Sequence, residues 1–158
     1  MTRRHLIAVA VAITVMLVAL VPPLWIQTTG DELVLEIAPV DPLSLFRGNY
    51  VDLRYDLDTD AVAEAVPGGF NTPVYVVFDA LRPANVVRFT EARPGLAPGE
   101  TCLQGRVRGS GRVEFPALQQ YFVTPEEGIR LEDELSSMVA VIKTTGSCRA
   151  ILTTLEPG

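Results

Sequence analysis

The sequence predicts a mostly-β protein: an N-terminal transmembrane helix followed by a small antiparallel β-barrel or sandwich with one or two short helices. Three observations lead there. One apolar run, residues 6–26, is polar only at Thr14. After residue 30 a Gly or Pro recurs every few residues, which limits helices and favours short strands. Tyr50–Leu57 then alternates cleanly, with Val51, Leu53, Tyr55 and Leu57 on one face and Asp52, Arg54, Asp56 and Asp58 on the other.

The apolar run LIAVAVAITVMLVALVPPLWI would reach roughly 31 Å as a helix, close to the hydrocarbon thickness of a bilayer. Pro22 and Pro23 are expected to end or kink the helix near Val21, leaving about 16 regular residues, with Leu24–Ile26 at the interface. Trp25 suits that wet, apolar boundary. Arg3 and Arg4 precede the run, whereas all 19 acidic residues follow it, with 11 of the 13 basic ones, so the distal part carries a formal charge of −8. The positive-inside rule then gives a cytoplasmic tail (1–5), a transmembrane anchor (6–26), a linker (27–31) and an extracytoplasmic domain (32–158), on a single-pass protein of the cell membrane. A cleaved signal peptide is the competing reading, but Leu24, Trp25 and Ile26 stand where small residues would be needed. A buried core helix is disfavoured because residues 6–21 have no polar face.

Along the domain, Glu32–Ile37 reads as a strand with Leu33, Leu35 and Ile37 inward, and Ala38–Gly48 as a loop. Asp60–Val66 allows a helical turn before Pro67-Gly68-Gly69. Pro73–Phe78 with Val86–Thr90, Thr101–Arg108 with Arg112–Phe115, and Met138–Lys143 with Arg149–Leu155 read as three hairpins. Pro125–Leu135 is the best helix of the domain, since Pro125 suits a first turn and Glu126 and Glu127 the positive helix N-terminus.

Cys102 and Cys148 form an even pair, which in an oxidising compartment reads as a disulfide; the alternative is two buried thiols. Their spacing excludes a C-x-x-C redox motif, and with no His nearby they do not make a zinc site. No cofactor or metal is expected. Nucleic acid is disfavoured: the domain is acidic, Lys143 is its one lysine, and the cluster Arg106, Arg108, Arg112 reads as the solvent face of a hairpin.

The stretch DPLSLFRGNYVDLRY (Asp41–Tyr55) resembles the GDYXXLXY family of membrane-anchored bacterial proteins, with Gly48, Asn49, Tyr50, Leu53 and Tyr55 in the motif and Asn49 replacing its Asp. QYFVTPEEGIRLE (Gln120–Glu132) is similar to the family's second, aromatic-Pro-Glu-Gly segment. The resemblance implies partnership with a polytopic membrane protein. Asn49 keeps a hydrogen-bonding oxygen but cannot exchange a proton near neutral pH, which points to a structural role for that position. The candidate binding or structural residues are Arg47, Gly48, Asn49, Tyr50, Leu53, Tyr55, Tyr121 and Glu132. Gly48-Asn49 suits a turn into the strand. Arg47 is expected to pair with a carboxylate such as Glu132, both lying in family-like segments.

Catalysis has little support. Asp56, Asp58 and Asp60 mimic the start of an EF-hand loop, but Ala61 replaces its Gly and Pro67 its final Glu. The single His, His5, lies before the apolar run, so no Ser-His-Asp triad can form in the domain. Paired carboxylates for glycoside chemistry are available, but nothing singles out a pair, and aromatics are too few for an obvious sugar platform. The alternative function is an anchored, signal-peptidase-like serine hydrolase with a Ser44/Lys143 dyad, although the Ser-Met-x-Pro context is missing. The leading expectation is therefore a non-catalytic accessory domain, contacting the bilayer through residues 6–26 and a polytopic membrane protein or envelope component through its β domain.

Overall fold

In a computed structural model, residues 3–38, 50–55, 57, 59–124, 126, 131 and 134–158 are described. Helix α1 spans Arg3–Thr29. A short helix, α2 (Thr59–Ala65), lies among the strands β1 (Asp31–Glu36), β2 (Tyr50–Asp52), β3 (Pro73–Phe78), β4 (Val86–Thr90), β5 (Thr101–Val107), β6 (Val113–Glu114), β7 (Gln120–Phe122), β8 (Met138–Thr144) and β9 (Ala150–Pro157). The fold is mostly β. Its antiparallel sheets are ordered β1-β8-β9, β2-β7 and β4-β3-β5-β6 and form a half-barrel.

α1 is long and apolar enough to cross a bilayer, and its side chains from Leu6 to Val21 face outward. It does not stop near Val21. It continues through Pro22 and Pro23 to Thr29, so the expectation of about 16 helical residues is corrected. Each proline removes one N–H donor, the one that would pair with the carbonyl four residues back. Thr28 Oγ1 donates to the Leu24 carbonyl at 3.0 Å and Thr29 Oγ1 to the Trp25 carbonyl at 2.8 Å. The Gly30 N–H closes the helix on the Ile26 carbonyl at 2.9 Å. Residues 27–31 hold the last turn of α1, Gly30 and the first residue of β1.

Gly30 is a tight joint. A Cβ there would lie 2.5 Å from the Ile26 carbonyl oxygen and 2.9 Å from that of Thr144. Directly beyond it Asp31 pairs with Thr144, and the ladder runs to Glu36 opposite Val139. Leu33, Leu35 and Ile37 are buried as their alternation predicts. Val34 is buried too, so β1 is covered on both faces.

The three hairpins form as expected, β3 with β4, β5 with β6 and β8 with β9. Val62 of α2 and Val66 just beyond its end stand four residues apart, joined by the Val66 N–H donating to the Val62 carbonyl at 2.9 Å, and both are buried, which fixes the face the helix presents to the core. They pack with Phe78, Phe115, Leu118 and the buried face of β1. Of the expected helix at 125–135, most lies outside the described residues; Glu126, Leu131 and Glu134 are helical, and a 3₁₀ turn covers Leu135–Ser137.

The expected strand Tyr50–Leu57 is shorter as a ladder but keeps its alternation. β2 pairs with β7 only as far as Asp52. The Leu53 N–H then donates to the Gln119 carbonyl at 2.7 Å, and Tyr55 bridges to Ile37 at the end of β1. One extended segment thus changes partner midway while Val51, Leu53 and Tyr55 stay buried.

Cys102 and Cys148 are disulfide-bonded, with Cα atoms 4.8 Å apart. The bond ties β5 to the turn between β8 and β9. The Thr144 hydroxyl, buried beside it, donates to the Cys102 carbonyl at 2.7 Å, and the Gln104 N–H donates to the Cys148 carbonyl at 3.0 Å. On the same face of the sheet, with Arg88 opposite Val77 and Val77 opposite Cys102, Arg88 grips the Glu100 carboxylate in a two-pronged contact, with Nη2 2.9 Å from Oε2. The Ala97 N–H also donates to Oε2, at 2.9 Å.

Two predictions follow from these contacts. Gly30→Val must displace backbone at the joint, so it should lower stability by about 1–3 kcal/mol, read as a lower thermal midpoint of the full chain in detergent. The second concerns acid. The Arg88 guanidinium, and then the Ala97 N–H, hold the Glu100 carboxyl down from its ordinary 4.5 to about 2. A depressed carboxyl contributes stability that is complete above its unfolded pKa and is lost as pH falls through the folded one. Glu100→Gln should therefore flatten the loss of stability seen in the wild type between about pH 4.5 and pH 2, measured by denaturant titration across that range.

Candidate functional site

The two family-like segments are neighbours in space. β2 and β7 pair antiparallel, with Tyr50 opposite Phe122, Val51 opposite Tyr121 and Asp52 opposite Gln120. The sequence treats them as separate features because their hydrogen bonds join residues far apart in the chain.

Leu53 and Tyr55 turn out to be core residues. Leu53 is 2% exposed and Tyr55 9%. The Tyr55 ring meets Phe115 edge to face, with centroids 5.8 Å apart. Its hydroxyl donates to the Leu118 carbonyl at 2.9 Å, across 63 residues of sequence. Burial pushes the Tyr55 hydroxyl well up from its ordinary value, so it stays a neutral donor. Tyr121 is half-buried, whereas Phe122 is 75% exposed. Arg47, Gly48, Asn49 and Glu132 lie outside the described residues, and so does the expected Arg47–Glu132 pair.

Beside the motif lies an open cleft of about 290 Å³, between the segment Asp52–Tyr55 and the segment Arg112–Phe115, with Gln119 at one end. Arg54 and Arg112 both line it, both are exposed, and neither makes an ion pair among the described residues. Glu114 is already engaged, its Oε2 2.6 Å from Arg108 Nε. Arg108 also stands over the Phe70 ring at 5.7 Å, and Arg106 reaches the Asn71 side chain and carbonyl at 3.4 Å. The arginine cluster thus separates. Arg106 and Arg108 serve the hairpin, while Arg112 faces the cleft with Arg54. Two guanidinium groups in one cleft can receive a carboxylate or phosphate through paired N–H donors. Sequence reasoning assigned Arg54 only to a solvent face; its place inside the motif, between Leu53 and Tyr55, was the available signal.

The catalytic alternative is not assembled by the described residues. Ser44 lies outside them. Lys143 sits on β8 with its Nζ 3.7 Å from the Glu32 carboxylate, which Arg82 also contacts at 2.7 Å. That is the setting of a surface ion-pair network, whereas a dyad base must be desolvated and uncharged. Among the described residues no three His, Cys, Asp or Glu side chains group to hold a metal. Of the D-x-D-x-D run, Asp56 and Asp58 lie outside the described residues, and Asp60 is exposed in the first turn of α2.

Because Tyr55 acts through a buried hydrogen bond, Tyr55→Phe should keep the fold yet cost about 1–3 kcal/mol by leaving the Leu118 carbonyl unpaired, visible as a lower denaturant midpoint with an unchanged slope.

A family model described as GDYXXLXY protein matches residues 12–155. No curated protein and no solved structure matches the chain. The matched span includes both motif segments and the whole β scaffold that pairs them, and the chain belongs to the GDYXXLXY family.

Proposed function

We propose that this chain is a single-pass membrane protein whose β domain lies outside the cytoplasm and serves as a non-catalytic accessory. In this reading the domain binds a multi-spanning membrane protein or envelope component through the face built by β2 and β7. The observation that carries it is the pairing of the two motif segments beside a cleft with two arginines that have no carboxylate partner among the described residues. Phe122, three-quarters exposed on β7, adds an apolar anchor to that face. Aromatic and arginine side chains together are the common composition of protein interfaces.

The topology rests on separate support. α1 is apolar from Leu6 to Ile26 apart from Thr14, Arg3 and Arg4 stand at its N-terminal end, and the net-acidic domain follows it. The Cys102–Cys148 disulfide fits an oxidising compartment. The short distance between helix and domain bears on the partner. Only Gly30 separates α1 from β1, so the domain is held at the bilayer surface, where a multi-spanning protein presents its loops.

Crosslinking and pull-down from native membranes tests the proposal, comparing wild type with Phe122→Ser and Arg54→Ala. The wild type should capture one integral-membrane protein that both variants lose, while their thermal midpoints stay unchanged. A wild type that captures none, or variants that capture as much as the wild type, would overturn it.

A further inference from the structure

A second cavity, which shares Phe115 with the cleft, lies where α1 meets the domain. It measures about 280 Å³ and opens between Ile26 of the helix and Leu103, Phe115, Leu118 and Ala150 of the β domain. Its floor is dry: Leu103 and Leu118 are 1% exposed and Phe115 2%. Ala117 lines it too and is exposed. Arg149 is the one charged residue in its wall, and it makes no ion pair among the described residues. Arg93 reaches the same turn, donating to the Gly146 carbonyl at 2.7 Å.

The height of this cavity decides what can fill it. Ile26 lies one helical turn before Gly30, next to Trp25, which is 64% exposed. An outward tryptophan at the end of an apolar helix marks the headgroup layer. The cavity therefore opens at the depth where acyl chains meet phosphates. Its size falls at the lower end of ligand pockets, roughly 300 Å³, which suits part of one acyl chain and is too small for the face of a partner helix. A guanidinium beside an apolar hole at that depth matches both halves of an anionic lipid.

We infer that this cavity takes one acyl chain of an anionic phospholipid from the leaflet around the C-terminal end of α1, with Arg149 receiving the phosphate. The inference rests on the reading of α1 as a membrane span. The bound lipid would fill the space between helix and domain and hold the domain at a set angle to the membrane.

The test uses the full chain in phosphatidylcholine vesicles that contain phosphatidylglycerol with a photoactivatable diazirine in its acyl chain. Adducts are mapped by peptide mass spectrometry. Two clusters are expected, one along the outward residues of α1 and one at Leu118 and Ala150. The second should vanish in Ala117→Trp, which fills the mouth. Unlabelled phosphatidylglycerol should compete for it better than phosphatidylcholine does in the wild type, and no better in Arg149→Gln. An intact disulfide and an unchanged thermal midpoint establish that both variants fold. Adducts on α1 without the second cluster would overturn the lipid site and leave the span standing. No adducts anywhere would overturn both. A second cluster that Ala117→Trp leaves intact would overturn the site.

Discussion

Two antiparallel sheets that share no strand are held to each other by packing and by the polar and covalent ties between them. In this chain the covalent tie lies at one corner, where Cys102 on β5 is bonded to Cys148 in the turn between β8 and β9. With a sequence separation of 46 between the bonded positions, the chain-entropy model gives up to about 4 kcal/mol from restricting the unfolded state. The hydrogen bonds around the disulfide matter as much for geometry. Thr144 donates to the carbonyl of one cysteine, and the carbonyl of the other accepts from Gln104, so the backbones of both sheets are held in register at the same place. A buried hydroxyl without a partner would be costly there, and Thr144 has its partner across the sheet boundary.

The same corner carries the helix. Thr144 pairs with Asp31, the first residue of β1, and Asp31 follows Gly30, whose missing side chain lets the Ile26 and Thr144 carbonyls come close. Helix, first sheet and second sheet therefore meet within a few residues, and the interfacial cavity is walled by parts of all three. A domain joined this closely transmits helix orientation directly, because there is no flexible segment to absorb a rotation. On the accessory reading, this makes the angle of α1 in the membrane a determinant of where the β2–β7 face points.

How much of this was legible in the sequence follows from the range of each interaction. The hairpins were readable because their strands are short, alternate in polarity and are divided by glycines and prolines, all of them local signals. Leu33, Leu35 and Ile37 were placed inward by alternation alone, and the structure buries them. The pairing of β2 with β7 was not readable, since nothing near Tyr50 or Phe122 specifies a partner so distant in the chain. The course of α1 beyond Pro22 was misjudged for a related reason. Proline is a strong local signal against helix, and no nearby residue gives a signal of continuation that outweighs it. The cleft was missed because Arg54 and Arg112 become neighbours only through the tertiary fold.

The motif itself gains a different meaning from its geometry. Its named Leu and final Tyr are Leu53 and Tyr55, and both are buried, Tyr55 with its hydroxyl committed to a backbone carbonyl. Residues so placed specify packing and the change of strand partner between Asp52 and Tyr55. The positions the motif leaves open are Val51, Asp52 and Arg54. Val51 is buried opposite Tyr121, whereas Asp52 and Arg54 line the cleft. The period of two along an extended chain produces this division, since residues that alternate with buried ones must face outward. A motif of this form marks the scaffold that holds the cleft. On the accessory reading, the choice of partner then falls to the unnamed positions between its letters and to Arg112, which the β5–β6 hairpin contributes.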